Sequence, residues 1–364
     1  MTSVKQAQRI SRLNNFDLLR FVFAFLVFIH HACVLSSTQE MKVIHLFINP
    51  LSSLAVPSFF IISGFLIFMS YENSHSLKNY FEKRFSRILP AYCFVVVLCA
   101  FGGCFFSTLP WNQYFGRKLL EFLLFNLTFL NFVQPSLPGV FENNPLMSSV
   151  NGSLWTIKIE LSFYVAVPLL VLLLRRYNKL ITITAIYILS FIYGELFNLI
   201  GEQTGRGVWF ELAKQLPGQL TFFISGALLY YYFDIFQIYF KPLLIVSTIV
   251  LIVSYHWEIS ATESYSFSFV TPICLAIIII SIVFFTFYTD LFSKHGDLSY
   301  GIYIYHFPLV QILVSYGLFE SSPYLTLMLS SLAVISISYA SWHFLEKPFL
   351  RRGHISSHKK SRET

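Results

Sequence analysis

The side chains able to do chemistry in this sequence sit inside apolar runs, and the first such run is the most informative. Phe16–His31, continuing through Leu35, carries Asp17, Arg20, His30 and His31. A titratable group in such a run costs free energy and needs a partner or a task. On a helix Arg20 and His31 fall within roughly 20° of one another on one face, about 16 Å apart along the axis. Asp17 joins that face at i,i+3 from Arg20, whereas His30 points elsewhere. The segment Ser153-Leu-Trp-Thr-Ile-Lys-Ile-Glu160 places a carboxylate about 10 Å into another apolar run, and His31 lies about 9 Å deep from the same side. Equal depth is what a carboxylate–imidazole pair requires. Glu160 would accept from one ring nitrogen, fix the tautomer and raise the basicity of the other. The bland alternatives are a buried pair that only clamps two helices, or Glu160 neutralised by Lys158. Lys158 is two residues away and faces another direction, which makes it a poor local partner. The cost of burying both groups favours a catalytic His31 and Glu160.

Two further clusters follow. Arg84 and Arg87 in Lys83-Arg84-Phe-Ser-Arg87-Ile-Leu-Pro90 share one helix face. Paired guanidiniums at a membrane surface suit phosphate groups, through bidentate and charge-assisted bonds. Ordinary loop charge or lipid-headgroup contact accounts for them equally well. In Ser299-Tyr-Gly-Ile-Tyr303-Ile-Tyr-His306, the residues Tyr300, Tyr303 and His306 form a stripe that puts His306 near mid-membrane. With Asp17, Tyr303 and His306 complete a candidate pocket, although a tyrosine belt with one hydrogen-bonded core histidine fits as well. His343 and Glu346 read as boundary residues, and His45, His75, His256, His295, His354 and His358 receive no role. There is no phosphate loop, dinucleotide fingerprint, nucleophile elbow or zinc spacing, so no metal and no permanently bound cofactor is expected.

The elements that must position these groups are membrane helices. Of 364 residues, 55% are hydrophobic and only 12% charged, a balance foreign to soluble domains. Apolar runs long enough to span a bilayer recur throughout. The expected fold is therefore an all-α polytopic membrane protein of about ten transmembrane helices, at 17–37, 51–70, 90–109, 154–174, 180–200, 216–233, 241–256, 268–288, 298–318 and 323–345. With both termini cytoplasmic, eighteen of the 25 Lys and Arg residues fall on the inner side and five on the outer, as the positive-inside rule demands. The net charge of +7 is thus spent on orientation, and no nucleic-acid partner is expected. The apolar stretch near 117–133 is short and contains Glu121 and Asn126; it reads as a re-entrant or interfacial helix. Residues 1–346 form one membrane domain and 347–364 a basic cytoplasmic tail. The five cysteines read as small core residues, and no cleaved signal peptide is expected. Phe59-Phe-Ile-Ile-Ser-Gly64 echoes Phe222-Phe-Ile-Ser-Gly226; small residues of this kind let helices pack closely.

Several pieces, in order along nearly the whole chain, resemble the acyltransferase-3 family of bacterial inner-membrane acyltransferases. They are Asp17-Leu-Leu-Arg20 with His31; Phe59 to Phe65; Arg84 to Pro90; Ser153-Leu-Trp155 leading to Glu160 and Phe163-Tyr164; Ser299-Tyr300 through His306; and Glu346-Lys-Pro348. The chain departs from the pattern at Lys158, where an uncharged residue is expected. The resemblance implies ten core helices and transfer of an acyl group, commonly acetyl, to a sugar hydroxyl of a surface or exported glycan. It implies Arg20, His31, Arg84 and Arg87 as functional positions. Acetyl-CoA is then the donor substrate, its phosphates docked at Arg20, Arg84 and Arg87. The acceptor is a glycan, in one version lipid-linked, such as O-antigen. The rival reading is a glycan or lipid transporter without acyl transfer; a scaffolding anchor ranks last.

Overall fold

The computed structural model describes residues 14–145, 149–260, 269–289 and 296–350. Among them the chain is helical, with isolated bridges Ser107–Val140 and Ser136–Ser149 in place of any strand. The helices are α1 (Phe16–Ser36), α2 (Gln39–Ser52), α3 (Ala55–Glu72), α4 (Leu77–Gly102), α5 (Trp111–Tyr114), α6 (Arg117–Leu127), α7 (Trp155–Arg176), α8 (Lys179–Thr204), α9 (Gly207–Ala213), α10 (Leu216–Tyr231), α11 (Phe233–Ser260), α12 (Thr271–Phe285), α13 (Ser299–Ser315), α14 (Leu318–Ser321) and α15 (Pro323–Ser341), the last continued by a π turn, Trp342–Glu346.

Each expected span holds a helix. Seven helical stretches are long and apolar enough to cross a membrane, and α12 is a shorter apolar helix. The chain is a polytopic all-α membrane protein. Its outward faces agree: Leu189, Ile192 and Leu196 on α8, and Ile245, Ile249 and Ile252 on α11, are all at least half exposed. Such continuous apolar surface is stable only against hydrocarbon. Boundaries differ from the hydropathy reading. Helix α4 starts thirteen residues before 90 and α11 eight before 241, because polar residues end hydropathy without ending a helix. Helix α2, which sequence reading left as a loop before 51, has an apolar side of Leu46 and Phe47 largely exposed. Helix α6 spans about 16 Å and is too short to cross, in line with the expected short helix near 117–133. Its Asn126 pins it: Nδ2 donates to the carbonyls of Phe122 (2.8 Å) and Gln134 (2.9 Å), and its own carbonyl accepts from the Tyr92 hydroxyl (2.7 Å). The expected basic tail beyond Leu350, and the basic residues before Asn14, lie outside the described residues.

The chain divides into two units. Unit one comprises Met1–Phe16, Val56–Tyr80 and Ile159–Thr289; unit two comprises Asp17–Ala55, Phe81–Lys158 and Asp290–Thr364.

In unit one the two Ser-Gly segments meet. A Cβ on Gly64 of α3 would overlap the Phe223 carbonyl of α10, and a Cβ on Gly226 of α10 would overlap the Ile61 carbonyl of α3. The sequence echo is therefore a reciprocal close contact of two backbones, and Phe163 and Phe223 stack beside it at 4.1 Å. Proline placement is handled as deliberately. Pro168 in α7 deprives the Tyr164 carbonyl of its helical donor, and the Tyr80 hydroxyl donates to it instead, at 3.1 Å. Near one end of this unit, buried Glu72 accepts from Arg175 and from the Tyr231 hydroxyl, each at 3.1 Å.

The Gly64–Gly226 contact yields a direct expectation. Gly64→Ala or Gly226→Ala forces the two backbones apart and should each cost about 1–3 kcal/mol, the usual range for overpacking. Thermal unfolding in detergent measures it, and an unchanged midpoint for both variants would refute the contact.

Candidate active site

Unit two collects the titratable residues of α1, α4 and α13. Its polar framework begins with a proline inside a helix. Pro308 in α13 has no N–H, so the Ile304 carbonyl loses its intrahelical donor. The Asn151 side chain supplies one, Nδ2 donating at 2.8 Å. Ser153 Oγ donates to the neighbouring Tyr303 carbonyl at 3.0 Å, and Thr156 Oγ1 pairs with the Tyr303 hydroxyl at 2.8 Å. Tyr303 is thereby a buried strut between α13 and the start of α7, with its hydroxyl engaged. This fixes the height and rotation of α13, and with it His306.

His306 is fully buried. Its Nδ1 lies 2.9 Å from the Ile302 carbonyl one turn back and its Nε2 lies 2.8 Å from His31 Nδ1. A carbonyl can only accept, so Nδ1 of His306 carries the proton and Nε2 is an acceptor. His31 must then donate from Nδ1, which leaves His31 Nε2 with its lone pair. The two rings lie within 21° of parallel, 5.0 Å apart, and Phe307 packs edge-on to His31 at 5.1 Å. The geometry makes His31 an oriented base, with His306 as the group that orients it. Sequence reading assigns that orienting role to Glu160. Glu160 belongs to unit one, where its carboxylate accepts from the Tyr164 hydroxyl one turn on, at 2.5 Å. Lys158, the departure noted above, stands over the Phe132 ring at 4.6 Å, a favourable cation–π contact that needs no carboxylate.

On the other side of His31, His45 Nε2 on α2 lies 3.1 Å from His30 Nδ1, and Ser52 Oγ lies 3.3 Å from the same nitrogen. His30 meets His31 edge-on at 5.4 Å. Sequence reading set His30 aside because it points away from the Arg20–His31 face, and gave His45 no role as a loop residue.

At the other end of α1 the charges converge on a residue that sequence reading missed. Asp297, just before α13, accepts from Arg87 and, at 3.5 Å, from Arg20, which also pairs with Asp17 at 3.5 Å. Asp297 further accepts from the backbone N–H (3.2 Å) and the hydroxyl of Ser299, the first residue of α13, so one carboxylate both holds the start of α13 and gathers two guanidiniums. Burial would raise its pKa, but Arg87, Arg20 and Ser299 outweigh that and hold it below its ordinary value. It follows Gly296, whose φ of 94° and contact with the Trp342 indole leave no room for a side chain. The available signal was an acid two residues ahead of a serine at a helix start; a tally of cations by side passes over it. Tyr300 adds a third tie, its hydroxyl donating to the Ile88 carbonyl of α4 at 2.9 Å. Arg84, three residues before Arg87, differs in kind: its Nε is buried without a hydrogen-bond partner. Of the three expected phosphate-binding cations, Arg20 and Arg87 are engaged by carboxylates and Arg84 retains an unused buried donor.

The arrangement suits acid–base chemistry at His31 and anion binding near Arg84, on one framework. Comparison with known proteins gives the family. The acyltransferase-3 family, described as an acyltransferase domain, matches residues 13–343. An O-acetyl transferase from Shigella phage Sf6 is 28% identical over 93% of this chain and 96% of its own. Nodulation protein 10 from Rhizobium leguminosarum bv. viciae is 25% identical over 93% of each. The acyltransferase MdmB from Streptomyces mycarofaciens is 28% identical over 46% of this chain and 41% of its own. No solved structure matches the chain. With the match running from ahead of Asp17 to His343, and with membrane helices throughout, the chain belongs to the acyltransferase-3 family and is a membrane acyltransferase.

Proposed function

We propose that this chain is an O-acetyltransferase of the bacterial inner membrane that moves an acetyl group from cytoplasmic acetyl-CoA to a hydroxyl of a cell-surface or exported polysaccharide such as O-antigen. The observation that carries the reading is the His31–His306 pair, with its tautomers fixed by the Ile302 carbonyl. The O-acetyl transferase from Shigella phage Sf6 supports acetyl as the group moved. The cationic bias of the loops supports cytoplasmic termini and an inward Arg20 end of α1.

The residues divide the work. Arg84 offers its unused donor to the CoA phosphates, while Arg20 and Arg87, set by Asp297, supply positive potential beside it. His31 Nε2 takes the proton of the acceptor hydroxyl as its oxygen attacks the thioester carbon. The tetrahedral intermediate collapses with cleavage of the C–S bond, and the His31 imidazolium returns the proton to the departing thiolate. His306 holds the ring and accepts the Nδ1 proton's hydrogen bond throughout. Glu160, retained as a second acid–base candidate on residue type, is tested by Glu160→Gln in the same assay. Direct attack leaves no acyl group on the enzyme, so mass spectrometry of protein mixed with acetyl-CoA alone is expected to find His31 unmodified.

His31→Ala should lower kcat by about 10²- to 10⁴-fold, the usual worth of a positioned acid–base group, measured as CoA release with a glycan acceptor. Full turnover in that variant would end the proposal. Arg84→Ala should act on KM for acetyl-CoA, raising it about tenfold or more, as loss of a charge-assisted bond does, with a smaller change in kcat. Asp297→Asn leaves two guanidiniums without their shared carboxylate and should cost about 3–5 kcal/mol of stability, read as a lowered unfolding midpoint. Because the carboxylate's pKa is depressed, its contribution is fully present above the ordinary aspartate range and is lost only as pH falls through the lowered value. Wild-type protein should therefore show no loss of this contact across the neutral range.

A further inference from the structure

The transfer step leaves one charge unanswered. As the acceptor oxygen attacks the thioester, the carbonyl oxygen becomes an oxyanion, and a site that lowers this barrier aims a hydrogen-bond donor at it. The guanidiniums gathered by Asp297 stand at the Arg20 end of α1, about 16 Å from His31 along the helix axis. Among the described residues three rings touch His31: His306, Phe307 and His30. Both nitrogens of His306 are engaged, Phe307 has none, and the Tyr303 hydroxyl on the same helix is paired with Thr156.

His30 is held through one nitrogen only. Ser37 and Thr38 alone separate α1 from α2, and Ser37 turns the chain at a φ of 55°. His45 and Ser52 are seven residues apart and so share one face of α2. Both reach His30 Nδ1, at 3.1 and 3.3 Å. Among the described residues His30 Nε2 bonds to nothing, and the ring is only half-buried. The parallel with His31 is close, since that ring too is gripped at Nδ1 and keeps Nε2 free. The two ring centres lie 5.4 Å apart, a separation that two hydrogen bonds to one tetrahedral centre span. What differs is the partner. His306 Nε2 can only accept, which forces a proton onto His31 Nδ1. His45 Nε2 and Ser52 Oγ are both able to donate, which lets His30 Nδ1 accept and puts the ring proton on Nε2.

We infer that His30 is a second catalytic residue of the site: its Nδ1 accepts from His45, and its Nε2–H donates to the thioester oxygen as the oxyanion forms. The inference rests on the acyl-transfer reading and adds an electrophile to its base. A neutral imidazole is a suitable donor to a developing oxyanion. No proton leaves His30; its hydrogen bond strengthens as charge builds on the oxygen and relaxes when the C–S bond breaks. His45 and Ser52 are positioning residues that set the tautomer and the ring.

Side chains of different reach separate this role from a structural clamp. Glutamine carries its amide nitrogen near the Nε2 position of the imidazole it replaces, and asparagine near Nδ1. The full chain in nanodiscs is assayed as CoA release from acetyl-CoA, with surface polysaccharide from cells lacking the chain as acceptor. His30→Ala and His30→Asn should each lower kcat about 10²- to 10³-fold, the usual worth of one oxyanion donor. Both KM values should stay unchanged, because the oxyanion exists only beyond the ground state. His30→Gln should recover most of the loss. Recovery by Asn in place of Gln would make His30 a clamp on α2, and a raised acceptor KM with kcat intact would make it a sugar contact. Either result overturns the inference, as does full kcat in His30→Ala or an equal loss in Gln and Ala. NMR of the wild-type chain with isotopically labelled histidine, assigned by the signals missing in His30→Gln, reads the tautomer without turnover. The proton should sit on Nε2 of His30 and on Nδ1 of His31, and a proton on His30 Nδ1 overturns the inference. Wild-type protein that releases no CoA would refute the acyl-transfer reading and this inference with it, whereas any of the contrary His30 results in an active wild type refutes this inference alone.

Discussion

Two guanidiniums share one carboxylate in unit two, and most of the candidate site hangs from that contact. Asp297 is nearly buried, and an isolated ion there would be far too costly to keep. Arg20 and Arg87 make it affordable, and Asp297 in turn keeps both cations at fixed positions on α1 and α4. Its remaining acceptor capacity goes to Ser299, so the same group sets where α13 begins. The register of α13 then decides where His306 stands, and His306 decides which nitrogen of His31 is basic. The guanidinium cluster and the imidazole pair are thus linked through one helix start.

Much of this was legible in the sequence, for reasons that differ by residue. Hydropathy placed a span on each of the seven described stretches long and apolar enough to cross, since burying some twenty apolar residues in lipid is a signal no local detail overrides. The helical repeat put Asp17, Arg20 and His31 on one face, and the chain's own geometry keeps Asp17 and Arg20 paired. Partner choice was less accessible. Matching depths suggested Glu160 for His31, but depth constrains one coordinate and a hydrogen bond needs three; His306, at about mid-membrane by the same count, is the ring partner in unit two. Asp297 was missed because it joins segments distant in sequence from a short polar stretch without periodicity, and the His30–His45 contact because helix α2 was read as a loop. The Ser-Gly echo carried its meaning in plain sight, although only coordinates reveal that the two copies face each other.

The role of proline in this fold extends beyond bending helices. Pro168 and Pro308 each free a carbonyl, and in each case a side chain from elsewhere in the same unit fills the vacancy: Tyr80 for Tyr164, Asn151 for Ile304. In lipid an unfilled carbonyl is expensive, so each proline obliges a specific cross-link and adds to the definition of the packing. The loss of one local bond is converted into one long-range bond.

The Asn151 link has a mechanical consequence. Because the amide reaches the very rung of α13 that Pro308 left open, the residues flanking Asn151 are geared to the helix bearing His306. A force on those residues is therefore a force on the imidazole pair as well. Displacement of Asn151 would uncover the Ile304 carbonyl and loosen the kink, letting His306 slide out of line with His31. The alignment of the two imidazoles thus depends on an amide that touches neither ring.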